Sequence, residues 1–114
     1  MRDGDTLEIG RTAVRLYGIS APERDAPGGS EARSALQRMV QGRVVSCTPT
    51  GERNHDRWIG RCRIDERDLG EAMVRLGVAR DCPRWSGGRY ARAEREAASL
   101  IAARHPLPNY CRPR

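Results

Sequence analysis

Leu7 and Ile9 alternate with Glu8, and after Gly10-Arg11 a second run over 13–19 alternates again. A period of two is that of a half-buried strand and the glycine pair is a turn signal, so the segment predicts a hairpin. The period then changes. Ser30 heads a stretch with Ala32, Leu36, Met39 and Val40 at helical spacing, with Ser30 expected as N-cap and Gly42 as the stop. Residues 44–48 predict a strand, 49–55 a polar turn around Gly51, and 58–64 a strand in which Trp58, Gly60, Cys62 and Ile64 share a face. Asp68 opens a short helix carrying Leu69, Ala72, Met73 and Leu76 and closed by Gly77. Ser86-Gly87-Gly88 precedes a third helix with Tyr90, Ala93, Ala97, Leu100 and Ile101 as its apolar stripe, and a Pro-rich tail over 105–114 is expected to be extended.

Short strands, a helix, more strands and two further helices define an α+β class, and 114 residues make one domain with a modest core. The formal charge is +6, and all 21 basic residues are arginines. Guanidinium groups suit phosphate backbones, although a charge of this size also serves solubility alone. Four cysteines occur with no C-x-x-C pair or histidine cluster that would suggest zinc. Two bridges are expected, Cys47 to Cys62 across neighbouring strands and Cys82 to Cys111 tying the tail to the body; four buried thiols are the alternative. Bridges imply an oxidising compartment, so a secreted or periplasmic location is expected, with any export signal lying in a segment not included here. No apolar run reaches transmembrane length, and no membrane partner is expected.

The chemistry-bearing residues lie near the start: Asp3-Gly4-Asp5-Thr6, then Val14-Arg15-Leu16, then Ser20-Ala21-Pro22-Glu23. Carboxylates can hold a hard cation, arginine can grip a phosphate through two parallel hydrogen bonds, and a glutamate fixed after proline can activate a water. These segments, together with Asp56-Arg57 and Met73-Val74-Arg75-Leu76-Gly77-Val78-Ala79, resemble the thermonuclease family, of which staphylococcal nuclease is the best known member. The resemblance runs over nearly the whole chain, so residues 1–114 are expected to form a single staphylococcal nuclease-like domain. It implies a small five-stranded OB-type β-barrel with three packed helices, whose first strand is largely missing before Asp3 and whose open edge would allow pairing or swapping of an otherwise monomeric protein.

The resemblance also implies roles. Asp5 would be the direct ligand of one calcium ion, with Asp3 behind it and the Ala21 carbonyl and Ser20 completing the set. Ser20 stands where the family has an aspartate, so calcium is expected to bind weakly. Arg15 and Arg57 would contact the phosphate and stabilise its transition state, Glu23 would handle the attacking water, and Trp85 would stack on a base. Arg61 is the rival to Arg57; it alternates in step with Ile59 and Arg63, which favours an outer face. His55 and His105 have no partner motif and receive no role. The implied activity is calcium-dependent hydrolysis of phosphodiester bonds in DNA and RNA, single strands favoured, with little sequence preference. The alternative is a degenerate relative that binds nucleic acid or a protein without cutting.

Overall fold

The computed structural model describes residues 3–54, 56–97 and 105–113. The expected hairpin is formed by β1 (Thr6–Ile9) and β2 (Thr12–Leu16), with Leu7 opposite Val14 and Thr6 opposite Arg15. The second strand ends earlier than its alternation suggests. Gly18, at a φ of 81°, turns the chain in a conformation that a residue with a Cβ rarely adopts. Ile19–Ser20 (β3) thereby leaves the main sheet and pairs with Arg80–Asp81 (β7).

β4 (Ser46–Asn54) and β5 (Arg57–Ile64) form a second antiparallel hairpin with Cys47 opposite Cys62. Residues 49–55 had the composition of a turn, yet the ladder continues through them to Asn54. β4 lies at the end of the sheet, where proline and polar side chains are tolerated, and a register shift between Pro49 and Arg53 absorbs Gly51 at a φ of 96°. Val44, expected in this strand, stands outside it and is exposed. β2 and β5 pair in parallel, giving the order β1-β2-β5-β4, and β6 (Arg67–Asp68) adds to β5 as the fifth strand. The result is the OB-type α+β fold, with its fifth strand drawn from a two-residue segment that alternation could not reveal.

Helix α1 (Gly29–Val40) starts just before Ser30; its N-cap is Gly28 in the left-handed region, with no side-chain cap, and Ser30 lies inside the first turn. Helix α2 (Leu69–Arg75) is capped as expected by Asp68, whose Oδ1 accepts from Gly70 N at 2.8 Å and Glu71 N at 3.4 Å. The third helical stretch is two pieces, α3 (Pro83–Ser86) and α4 (Ala91–Glu96), because Gly87 and Gly88 between them both take positive φ. Tyr90 and Ala93 of the expected stripe are buried, while Leu100 and Ile101 lie outside the described residues, as does His55. The tail carries a short 3-10 turn, Asn109–Cys111.

Leu7, Leu16, Ile19, Leu36, Cys62, Met73 and Val74 are buried at the centre, joining both hairpins to α1 and α2. Both expected disulfides are present, Cys47–Cys62 and Cys82–Cys111. No helix among the described residues is long and apolar enough to cross a membrane. Two glycines set the position of the N-terminal motifs. A Cβ on Gly4 would come within 2.5 Å of the Ala32 Cβ, and one on Gly29 within 1.8 Å of the Glu23 carbonyl oxygen, so α1 packs directly against both turns.

Candidate active site

Asp5 ends the turn before β1 and is buried, only 7 % exposed. An ionised carboxylate at such a depth requires partners. Thr6 Oγ1 donates to its Oδ1 at 3.0 Å, and Arg15 Nη2 lies 3.7 Å from its Oδ2. Arg15 projects from β2 between two buried neighbours, Val14 and Leu16, and also donates to the Ile19 carbonyl at 3.3 Å. Arg57, at the start of β5, donates through Nη1 to Thr6 Oγ1 at 2.9 Å. Thr6 therefore joins Arg57 to Asp5, and both arginines converge on one carboxylate from strands far apart in sequence.

Arg15 and Arg57 also line a cleft of about 430 Å³ shared with Arg53, Tyr17, Trp85 and Tyr110. Arg61, the alternative to Arg57, is exposed and lies outside this lining, its guanidinium 5.1 Å from the Tyr17 ring centroid. Trp85 is on α3 with its indole Nε1 donating to the Tyr110 carbonyl at 3.1 Å.

Glu23 is exposed on the turn before α1. Its carbonyl accepts from Ala26 N at 2.9 Å, and Asp3 Oδ1 accepts from Arg24 N at 3.2 Å. Asp3 thus fastens the turn beside Glu23. Ala21 and Ser20 are both buried, and the Ser20 hydroxyl lies 2.9 Å from His105 Nε2. Burial, aided by the Arg80 charge, holds the His105 imidazole below its ordinary pKa, while the carboxylates of Asp5 and Glu23 pull the other way. Both acids therefore lie within electrostatic reach of a ring that spacing had left without a role. Arg80 also donates to the His105 carbonyl at 3.4 Å. Among the described residues no three His, Cys, Asp or Glu side chains come together closely enough to chelate an ion.

Sequence reasoning missed His105, Tyr17, Arg53 and Tyr110. For the two tail residues the only signal was Cys111, whose bridge implied that the tail returns to the body.

On this OB-type α+β fold a buried carboxylate lies beside one arginine and is linked through Thr6 to a second, and paired guanidinium groups are of the kind that can grip a phosphate. The family model of staphylococcal nuclease homologues matches residues 13–103, and the chain belongs to that family. Arg15, Ser20, Glu23, Arg57 and Trp85 fall inside the matched span, and Asp3 and Asp5 precede it. The chain is 32% identical over 109 residues to the succinoglycan biosynthesis protein ExoI of Rhizobium meliloti (strain 1021), covering 85% of this chain and 57% of that protein. It is 34% identical over 76 residues to the probable staphylococcal-like nuclease CAN1 of Oryza sativa subsp. japonica, covering 67% of this chain and 23% of that one. A similar match, 32% over 66 residues, covering 58% of this chain and 20% of the relative, is to the staphylococcal-like nuclease CAN1 of Arabidopsis thaliana. The chain thus spans between a fifth and somewhat over half the length of these relatives.

Proposed function

We propose that this chain hydrolyses phosphodiester bonds of DNA and RNA, single strands favoured, with one divalent cation held at Asp5. The observation that carries the reading is the convergence of Arg15 and Arg57 on one buried carboxylate, directly at 3.7 Å and through the Thr6 hydroxyl. Each guanidinium keeps further N–H groups for a phosphate. The two forks grip its non-bridging oxygens where negative charge grows as water adds, and losing one such donor costs roughly 10²–10³ in rate.

The donor set suits a hard cation held weakly. Asp5 supplies a carboxylate, Ala21 a carbonyl and Ser20 a hydroxyl, all oxygen; a single negative charge among them favours calcium at low affinity. Asp3 is occupied with Arg24 N and supports the turn instead. When bound, the ion polarises a phosphoryl oxygen and offsets its charge. Glu23, exposed beside Pro22, orients the attacking water and accepts its proton at the carboxylate. Trp85 offers a stacking face to a base, and contacts of this kind carry little sequence preference. Two disulfides fit a secreted or periplasmic protein.

Digestion of plasmid and single-stranded substrates with calcium, with manganese and with chelator, beside Glu23→Gln, tests the reading. Cation-dependent cleavage lost in Glu23→Gln is expected. No cleavage at any cation level overturns it, and salt-sensitive binding without cleavage transfers the case to the non-cutting alternative.

A further inference from the structure

The cleft beside Arg15 and Arg57 has a wall that comes from the C-terminal tail, at its short 3-10 turn. Tyr110 reaches it from the C-terminal tail, and this residue is 50 % exposed, with Trp85, 39 % exposed, in the same cleft. The tail is held there from several directions. Its Cys111, fully buried, is bonded to Cys82, and Cys82 N donates to the Gly18 carbonyl at 2.9 Å, beside Tyr17. The Tyr17 hydroxyl donates to the Trp85 carbonyl, and Trp85 Nε1 to the Tyr110 carbonyl. The indole's one donor is therefore spent on the tail backbone, and with the Arg84 guanidinium over one side of the ring, 5.2 Å from its centroid, the other face is left for a ligand. Tyr17, Trp85 and Tyr110 share the lining with Arg15, Arg53 and Arg57, three arginines against the one carboxylate of Glu52. Anion-gripping forks next to aromatic faces match a phosphate carrying a base.

We propose that the tail is part of the substrate site: Tyr110, kept in the cleft by the Cys82–Cys111 bridge, contacts a nucleobase of single-stranded nucleic acid and supplies base-dependent affinity only while that bridge is closed. The inference rests on the proposed function, and it adds a residue and a covalent device that the arginine and carboxylate set does not require.

The test is binding of a fluorescent oligothymidylate and of an abasic oligomer of equal length, followed by anisotropy in chelator so that nothing is cut. For Tyr110→Ala, affinity for the thymidylate falls roughly tenfold while that for the abasic strand stays within about twofold, since one stacked base is lost and the phosphate contacts are kept. The double variant Cys82→Ser/Cys111→Ser, checked for folding by circular dichroism, shows the same selective loss, and Cys47→Ser/Cys62→Ser does not. If Arg57→Ala weakens binding of both oligomers while Tyr110→Ala binds both like the parent, the tail has no part in the site and the inference falls alone. A folded Cys82→Ser/Cys111→Ser variant with parental discrimination removes the role of the bridge. Failure of the parent protein to bind either oligomer at low salt overturns both this inference and the proposed function.

Discussion

The Ser20 hydroxyl and the His105 imidazole, 85 positions apart, meet at 2.9 Å beside the buried Asp5 turn. At a position where the family resemblance calls for a carboxylate, the chain has a neutral hydroxyl engaged by a ring from its tail. The pair leaves Asp5 as the sole carboxylate among the proposed direct ligands, and it makes the tail a neighbour of that site.

Ser20→Asp should tighten calcium binding by at least about tenfold, because charge count sets the affinity of such sites. Titration calorimetry on the parent and the variant measures it. The gain should be larger in Ser20→Asp/His105→Ala, where the new carboxylate is not drawn to the ring. Unchanged affinity in both variants would remove Ser20 from the cation site.

Arg57→Ala and Arg15→Ala should each lower kcat by roughly 10²–10³ with a smaller change in KM, since their proposed work is done where charge grows. Arg57→Lys keeps the charge but not the fork and should recover only part of the rate. A loss confined to KM would assign the arginines to substrate binding alone.

His105 gives stability a pH dependence. Burial and Arg80 lower its folded-state pKa below the ordinary value of about 6.5, and Asp5 and Glu23 offset this only in part. Between the two values the unfolded chain binds more protons, so stability is present above about pH 6.5 and is lost as pH falls through the window down to the folded-state pKa. Denaturant unfolding at closely spaced pH values should show a slope there that His105→Gln abolishes. An identical slope in the variant would assign it to another group.

Asp68 has several partners, among them Arg89, whose Nε lies 3.4 Å from its Oδ2. It caps α2 through Gly70 N and Glu71 N, and its Oδ2 accepts from the buried Tyr90 hydroxyl at 2.7 Å, which raises the Tyr90 pKa further after burial itself. Asp68→Ala should destabilise by about 2–4 kcal/mol, combining a lost cap with a buried hydroxyl left unpaired. Tyr90→Phe should cost about 1 kcal/mol, and the double variant less than the sum of the two. Additive losses in urea unfolding would show that the pair does not couple.

Gly29→Ala should lower activity more than core stability would explain. The added Cβ would lie 1.8 Å from the Glu23 carbonyl oxygen, so the turn carrying Glu23 must move. A misplacement on the order of 1 Å at a catalytic group can cost about 10²-fold. Parental kcat at an unchanged melting temperature would contradict this.

What the sequence determined by itself is local. Period-two alternation over Leu7–Ile9 and the start of β2, helical spacing from Ala32 to Val40, the Asp68 cap and the pairing of Cys47 with Cys62 follow from interactions spanning a few residues or one hairpin. Family likeness pointed to Asp5, Arg15 and Arg57, whose motifs sit at set distances along the chain. Tertiary structure decided what local rules leave open. Whether Ser20 continued β2 or left it depended on a positive φ at Gly18 and on a partner strand at Arg80–Asp81, and residues 49–54 joined the ladder because β5 offered them partners. His105 and Tyr110 reached the site by the path of the tail and its bridge at Cys111, contacts across 85 and 25 positions that no periodicity encodes. Hydrogen bonds, ion pairs and packing act through space, and only the closed chain brings such distant groups within their reach.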